Sequence, residues 1–189
     1  MDTTPPHPHR ECMLAALAQA KLALEAGNMP IGAVIVHSGT IIAVGRNAID
    51  PPANDTHHAE LSAIQSVAPF LATHKRQCTI YTTLEPCMMC LGAIINVGIQ
   101  SVVTGAADPL VGAIDLLAFS DYYRHKGNAL QLVSGFMAEE SQALLNEYVR
   151  KTGFRAHLST QSAVASSSPS VFTPASLSNS LKFQRPSTK

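Results

Sequence analysis

The sequence lacks the features that mark membrane-spanning, exported or strongly basic proteins. No apolar run approaches the roughly 18 residues that a membrane span needs, and residues 1–8 contain no basic region followed by an apolar one. We therefore expect a cytoplasmic protein that does not cross a membrane. Residues 1–157 hold ten basic and thirteen acidic side chains. This charge balance argues against a strong general attraction for nucleic acid, because phosphate binding depends on excess Lys and Arg. A local basic patch remains compatible with the composition.

Charged residues and cysteines are also scarce. Only 14% of the 189 residues are charged, whereas 46% are apolar, a balance typical of a compact α/β or α+β protein with a buried sheet. The length suits one domain with a sizeable core. Of the four cysteines, Cys87 and Cys90 are spaced as metal ligands or a redox pair, whereas Cys12 and Cys78 lie in apolar segments and are expected to be reduced thiols.

Periodicity predicts alternating helices and strands up to about residue 151. Apolar residues recur at helical spacing over residues 9–25, and β-branched runs at 31–36 and 40–45 flank a Ser-Gly turn, which predicts a helix followed by a hairpin. Further strands are predicted at 78–84, 101–105 and 129–134, and further helices after Thr56 and at 87–97, 110–119 and 139–151. The helix at 110–119 permits the last two strands to be parallel.

The chain is expected to contain three parts. Residues 1–8 form a flexible N-terminus, and residues 9–157 form the single folded domain. In residues 158–189 ten side chains are serine and three are proline, a composition that predicts a disordered tail. The sequence contains no internal repeat.

Two short motifs carry the chemistry. His58 and Glu60 follow a loop rich in turn formers, and the segment Pro86-Cys87-Met88-Met89-Cys90 follows a predicted strand. Both motifs are expected to open helices, with Pro86 at the first helical position, where unpaired N–H groups stabilise thiolates. Catalytic zinc takes three protein ligands and leaves the fourth position to water. We therefore predict one zinc ion held by His58, Cys87 and Cys90.

Glu60 is predicted to be the catalytic residue of this zinc site. It lies two residues from His58, so its carboxylate can reach the attacking water without joining the metal and can act as general acid and base. A purely structural zinc module is one alternative, but such a site has no use for Glu60. A redox role for Cys87 and Cys90 is another, and it leaves the His58 motif unexplained.

Longer stretches extend the pattern. The order H-x-E followed by P-C-x-x-C is the signature of zinc deaminases. Further matching segments are IGAV at 31–34, GRN at 45–47, YTTLEPCMMC at 81–90 and GAII at 92–95. On these residues the chain resembles the cytidine and deoxycytidylate deaminase superfamily, and within it the bacterial tRNA adenosine deaminases and the guanine and cytosine deaminases. The resemblance covers residues 10–153.

The resemblance implies a fold and a reaction. The expected fold is a three-layer α/β/α arrangement around a central five-stranded mixed sheet, assembled as a homodimer. The expected reaction is attack of water on an amino-bearing ring carbon with release of ammonia. By position in the family, Asn47 is predicted to hold the substrate base. Ala33, Glu85 and Asp115 are further predicted substrate-binding residues.

The substrate stays open between two classes. The tRNA enzymes carry basic residues after the fourth strand, whereas this chain reads AADPLVG at 106–112. This departure favours a free nucleobase or nucleoside as substrate. The alternative is deamination of the wobble adenosine of tRNA, for which Arg150, Lys151 and Arg155 could supply contacts.

Overall fold

The computed structural model describes residues 9–51, 53–126, 130–154 and 170–172. The predicted flexible N-terminus at 1–8 lies outside these residues, as does most of the predicted tail. Within the described residues, the chain forms seven α-helices and one six-stranded sheet.

The first helix and the hairpin form as the sequence predicts. Helix α1 (Arg10–Glu25) ends before Gly27, which has a φ of 81°, the left-handed conformation that glycine adopts at helix ends. Strands β1 (Gly32–His37) and β2 (Thr40–Arg46) pair antiparallel across the turn at Ser38 and Gly39. The hairpin therefore supplies one edge of the sheet.

The sheet is mixed, as predicted. Its order is β2-β1-β3-β4-β5-β6, where β3 is Cys78–Leu84, β4 is Ser101–Ala106, β5 is Gln131–Ser134 and β6 is Ser170–Phe172. Strand β3 runs antiparallel to β1 and parallel to β4, and β4 runs parallel to β5. The expected five-stranded mixed sheet is confirmed, with a sixth short strand added at its edge.

Helices cover both faces of the sheet. The remaining helices are α2 (Ala59–Ser66), α3 (Ala68–His74), α4 (Met88–Val97), α5 (Leu116–Phe119), α6 (Asp121–Lys126) and α7 (Ala138–Thr152). On one face, Ile64, Leu71 and Ile94 of α2, α3 and α4 join a buried cluster with sheet residues. On the other face, Met13 of α1 and Leu144 of α7 do the same. Burial of two apolar faces of one sheet produces the predicted three-layer arrangement.

The predicted helix at 110–119 is wrong over its first half. Residues 109–111 form turns, and the helix begins only at Leu116. The Asp108 carboxylate accepts hydrogen bonds from the N–H groups of Leu110 and Val111 at 3.1 Å each. A carboxylate that binds nearby backbone N–H groups favours a turn over a helix. Strand β5 nevertheless pairs parallel with β4, as predicted.

The serine-rich tail contributes one ordered tripeptide. Val171 pairs with Val133, so β6 runs antiparallel to β5. The expected disorder therefore does not hold for Ser170–Phe172, because the free edge of β5 offers N–H and C=O groups that an extended segment can pair. For the rest of residues 158–189 disorder remains a prediction, outside the described residues.

Within the described part of the chain, no helix combines the length and the apolar character needed to cross a membrane.

Candidate active site

The first motif begins α2 after an irregular loop. His58 is the N-cap residue of this helix, with an extended backbone (φ −81°, ψ 153°), and Glu60 lies in the first turn. The loop is closed by a hydrogen bond from the Ala48 N–H to the His57 carbonyl, at 3.1 Å. His58 and Glu60 are thus presented by a helix start, as the sequence predicts.

The second motif begins α4 directly after β3. Cys87 is the N-cap residue, and the helix runs from Met88, so Pro86 lies just before the helix rather than at its predicted first position. The reason is that Cys87 keeps an extended backbone (φ −69°, ψ 171°) and pairs as an isolated bridge with Gly112. Cys90 lies in the first turn of the helix and is buried.

The two helix starts bring together three atoms that could bind a metal ion. His58 Nδ1 lies 3.7 Å from Cys87 Sγ and 3.6 Å from Cys90 Sγ, and all three donor atoms lie within 4.8 Å of one another. In tetrahedral zinc sites, Zn–N bonds of about 2.0–2.1 Å and Zn–S bonds of about 2.3 Å separate nitrogen and sulfur by about 3.6 Å. The donor set therefore fits zinc in type and in spacing.

The two thiols differ in their proton affinity when no metal binds them. A hydrogen bond from the Cys90 thiol, together with His58, lowers the pKa of Cys87 to about 4. The same hydrogen bond and burial raise the pKa of Cys90. The hydrogen bond to Cys87 also raises the pKa of His58, against the opposing effect of burial. The site thus holds one thiolate before metal binding, and a cation would favour the second.

Glu60 lies beside these donor atoms in a buried position. Its side chain is 3% exposed, and burial raises its pKa, since a low-dielectric environment disfavours the charged form. The Thr82 hydroxyl lies 3.2 Å from Glu60 Oε1 and can donate a hydrogen bond to it. A carboxyl with a raised pKa is suited to proton transfer near neutral pH.

A cavity of about 380 Å³ lies beside this candidate metal site. His58, Glu60, Cys87 and Asn47 line it. Asn47 is 3% exposed, and its Oδ1 has no hydrogen-bond partner among the described residues. Buried polar atoms are rarely unpaired, so this oxygen identifies a position at which a ligand can donate a hydrogen bond.

The other predicted substrate-binding residues occupy different places. Ala33 is fully buried within β1 and does not line the cavity. Asp115 is exposed, at the start of α5, and does not line the cavity either. Glu85 lines the cavity, but its two carboxylate oxygens accept the N–H groups of Ile114 at 3.1 Å and Asp108 at 3.2 Å. The structure therefore brings only Asn47 and Glu85 of this group to the cavity.

Several cavity residues have no signal in the motifs. Asn28 joins the end of α1 to the loop after β2, since its amide exchanges hydrogen bonds with the Asp50 backbone at 2.7 and 2.9 Å. Tyr148 and Phe154 line the mouth near the end of α7, with ring centroids 6.2 Å apart. Thr82 does not line the cavity; it lies within the matching segment at 81–90, but β3 is buried on both faces, so strand alternation gives no signal for a role.

The amino-acid sequence matches a known family and curated relatives. The family model of MafB19-like deaminases matches residues 7–139. The tRNA-specific adenosine deaminase of Bacillus subtilis is 36% identical over 140 residues, which cover 74% of this chain and 87% of that protein. The tRNA(Ile)-lysidine synthase of Deinococcus radiodurans is 40% identical over 149 residues, which cover 76% of this chain; the chain spans only 25% of that protein.

Solved structures share the fold. A tRNA:A34 deaminase that edits A to I at the wobble position superposes with a TM-score of 0.61 at 32% identity, covering 71% of this chain and 99% of that one. The guanine deaminase of Nitrosomonas europaea superposes with a TM-score of 0.59 at 26% identity, covering 72% of this chain and 82% of that one. The relatives thus include deaminases that act on RNA and on a free base.

Proposed function

Because the chain belongs to the MafB19-like deaminase family, we propose that it is a zinc-dependent hydrolase of a nucleobase or nucleoside. The reaction replaces an exocyclic amino group of the ring with a carbonyl oxygen, consumes one water and releases ammonia. His58, Cys87 and Cys90 hold the zinc ion. Bound zinc would supply Lewis-acid activation of the attacking water.

Glu60 carries the protons in this mechanism. Its carboxylate accepts a proton from the attacking water and returns it to a ring nitrogen of the substrate. Glu60 then takes the remaining proton from the added hydroxyl and passes it to the amino group, so that the C–N bond breaks, ammonia leaves and the hydroxyl oxygen becomes the carbonyl. Burial supports this role, because it raises the pKa of Glu60 and so allows the side chain to be a base and an acid in one cycle.

One observation carries the proposal: Asn47, whose Oδ1 is buried and unpaired among the described residues, lines the same cavity as Glu60, His58 and Cys87. An amide oxygen accepts an N–H, and a nucleobase offers N–H groups beside its amino-bearing carbon. Binding of the base at Asn47 would then leave Glu60 to act on the water. A structural zinc module would need neither residue.

Ammonia release tests the proposal. Zinc-loaded protein would be incubated with adenine, guanine, cytosine, their nucleosides and an anticodon stem-loop RNA. We expect turnover of at least one compound and a loss of about 100-fold or more in Glu60→Ala. Glu139→Ala, an exposed acidic residue in the first turn of α7, is the matched control. Full activity of Glu60→Ala would contradict the mechanism.

Deamination of the wobble adenosine of tRNA is the second candidate. Relatives with this activity support it, and so does the aromatic pair of Tyr148 and Phe154 at the mouth, since flipped and neighbouring RNA bases stack on aromatic rings. Arg150 is exposed on α7, whereas Lys151 is paired with Glu147 at 2.8 Å, and Arg155 lies outside the described residues. Turnover of the stem-loop alone, weakened by raised salt, would select this candidate over a free base.

We also propose a homodimer in the cytoplasm. The family resemblance supports the dimer, and the four free cysteines suit a reducing compartment. Sedimentation of zinc-loaded protein at two concentrations tests the assembly state.

A further inference from the structure

Thr82, on the central strand β3 of the sheet, contacts Glu60. It lies on β3, where its register partners are Ala33 of β1 and Thr104 of β4, and it is fully buried. Its hydroxyl lies 3.2 Å from Glu60 Oε1 and 3.1 Å from the Leu84 carbonyl oxygen. Both are acceptors, and a hydroxyl has a single proton to donate.

The geometry points to Thr82 as the residue that positions the Glu60 carboxylate for proton transfer, an inference that rests on the proposed function. A hydrogen bond to Oε1 restricts the rotation of the carboxylate and so orients it toward the water and the substrate. Thr82 does not touch the reacting atoms. It acts through Glu60 and is a positioning residue.

Because the Leu84 carbonyl is a second acceptor, the Thr82 hydroxyl can form a hydrogen bond whether Glu60 is ionised or protonated. While Glu60 is a carboxylate, it is the stronger acceptor, and the Thr82 proton is directed to Oε1. Once Glu60 has taken a proton from the water, its oxygen accepts less strongly and the Thr82 proton can turn to the Leu84 carbonyl. The Thr82 hydroxyl therefore has an acceptor in either state, which matters because an unpaired buried donor is costly. The transferred proton moves from water to Glu60 and then to the substrate, and Thr82 keeps its own proton throughout.

Isosteric substitution tests this role. Thr82→Val keeps the shape and removes the hydroxyl, whereas Thr82→Ser keeps the hydroxyl. We expect Thr82→Val to lower kcat by about 10- to 100-fold with KM within about twofold, and Thr82→Ser to recover most of kcat. Thr104→Val, on the neighbouring strand, is the matched control and should leave kcat within about twofold. Equal kcat values for Thr82→Val and wild type, or equal losses in Thr104→Val, would overturn the inference.

Thermal unfolding of zinc-stripped protein supplies a readout that does not need activity. Thr82→Val should lower Tm in the wild-type background by about 2–4 °C more than in a Glu60→Ala background, because the contact exists only in the former. Equal shifts in both backgrounds would overturn the contact. If no substrate is turned over by wild-type protein, the proposed function fails, and this cycle still decides whether Thr82 and Glu60 are coupled.

Discussion

Gly45 of β2 packs directly against the backbone of Ala59 at the start of α2. A Cβ added to Gly45 would meet the Ala59 carbonyl oxygen and would lie 2.7 Å from the Ala63 nitrogen. The absence of a side chain at Gly45 therefore sets how closely α2 approaches the sheet. Because His58 and Glu60 flank Ala59, the same contact fixes the distance of both functional side chains from β3.

Gly45→Ala should move α2 outward. We expect a loss of about 1–3 kcal/mol in the free energy of unfolding, since overpacking against backbone atoms cannot be relieved by side-chain rotation. We also expect weaker zinc retention, because His58 moves with the helix. Urea unfolding and zinc content after dialysis measure the two effects. The control is Val44→Ala, at an exposed position on the same strand, which should change the free energy of unfolding by no more than about 0.5 kcal/mol. A Gly45→Ala protein as stable as wild type that retains zinc would disprove the prediction.

Asn47→Ala should separate substrate binding from stability. Removal of Oδ1 breaks no described hydrogen bond, so the lost acceptor should weaken substrate binding rather than folding. We expect kcat/KM to fall about 10- to 100-fold while the zinc content is unchanged. Steady-state kinetics and metal analysis measure this. Asn146→Ala, on the exposed side of α7, is the control, and unchanged kcat/KM in Asn47→Ala would show that another group holds the base.

Cys87 should be reactive in zinc-stripped protein. Hydrogen bonding from Cys90 lowers the pKa of Cys87 to about 4, so its thiolate fraction is full at neutral pH and falls only as the pH drops through about 4. An ordinary thiol, with a pKa of about 8.5, loses its reactivity well above that pH. Iodoacetamide should therefore label Cys87 at pH 6 at a rate close to that at pH 8, as measured by peptide mass spectrometry.

Two comparisons sharpen the labelling experiment. Cys78 is buried, and burial raises the pKa of its thiol, so it should stay unlabelled at pH 6. Zinc loading should protect Cys87, since a coordinated thiolate is withdrawn from the reagent. A labelling rate at Cys87 that increases about tenfold per pH unit between 6 and 8 would mean an ordinary thiol and would refute the prediction.

Glu85→Gln should loosen the cavity wall. The carboxylate of Glu85 accepts two backbone N–H groups, from Asp108 and Ile114, and a glutamine would turn an amide N–H₂ towards one of them. We expect a loss of about 1–3 kcal/mol and faster proteolysis within residues 108–114, with zinc retained. Urea unfolding and limited proteolysis check this. Asp115→Asn is the control, because Asp115 is exposed outside the cavity. Equal protease resistance of the Glu85→Gln variant and wild type would show that Glu85 does not hold this segment in place.

The grouping of His58, Cys87 and Cys90 was predictable because each motif is local. His58 and Cys90 are fixed by helix starts, and a helix start places nearby residues regardless of the rest of the chain. The α/β/α layers were predictable for a similar reason, since the local apolar pattern decides most of the helices and strands.

The cavity wall was not predictable because it depends on contacts distant in sequence. The Glu85 carboxylate accepts a hydrogen bond from the Ile114 N–H across 29 positions in sequence. Periodicity carries no information on such a contact. The pairing of β6 was missed for the same reason, because three residues have no period and their conformation is decided by the edge of β5.

Hydrogen bonds hold the part of the cavity wall that residues 108–114 form. Glu85 binds both of its ends, the Ala113 N–H donates to the Pro86 carbonyl at 3.0 Å, and Gly112 pairs with Cys87. Positions 109–111 between these anchors contain the exposed side chains of Leu110 and Val111. New side chains at these positions would reshape the entrance while the anchors stay in place. In such a protein, the choice of substrate can diverge between descendants of one ancestor without any change in the reaction that they catalyse.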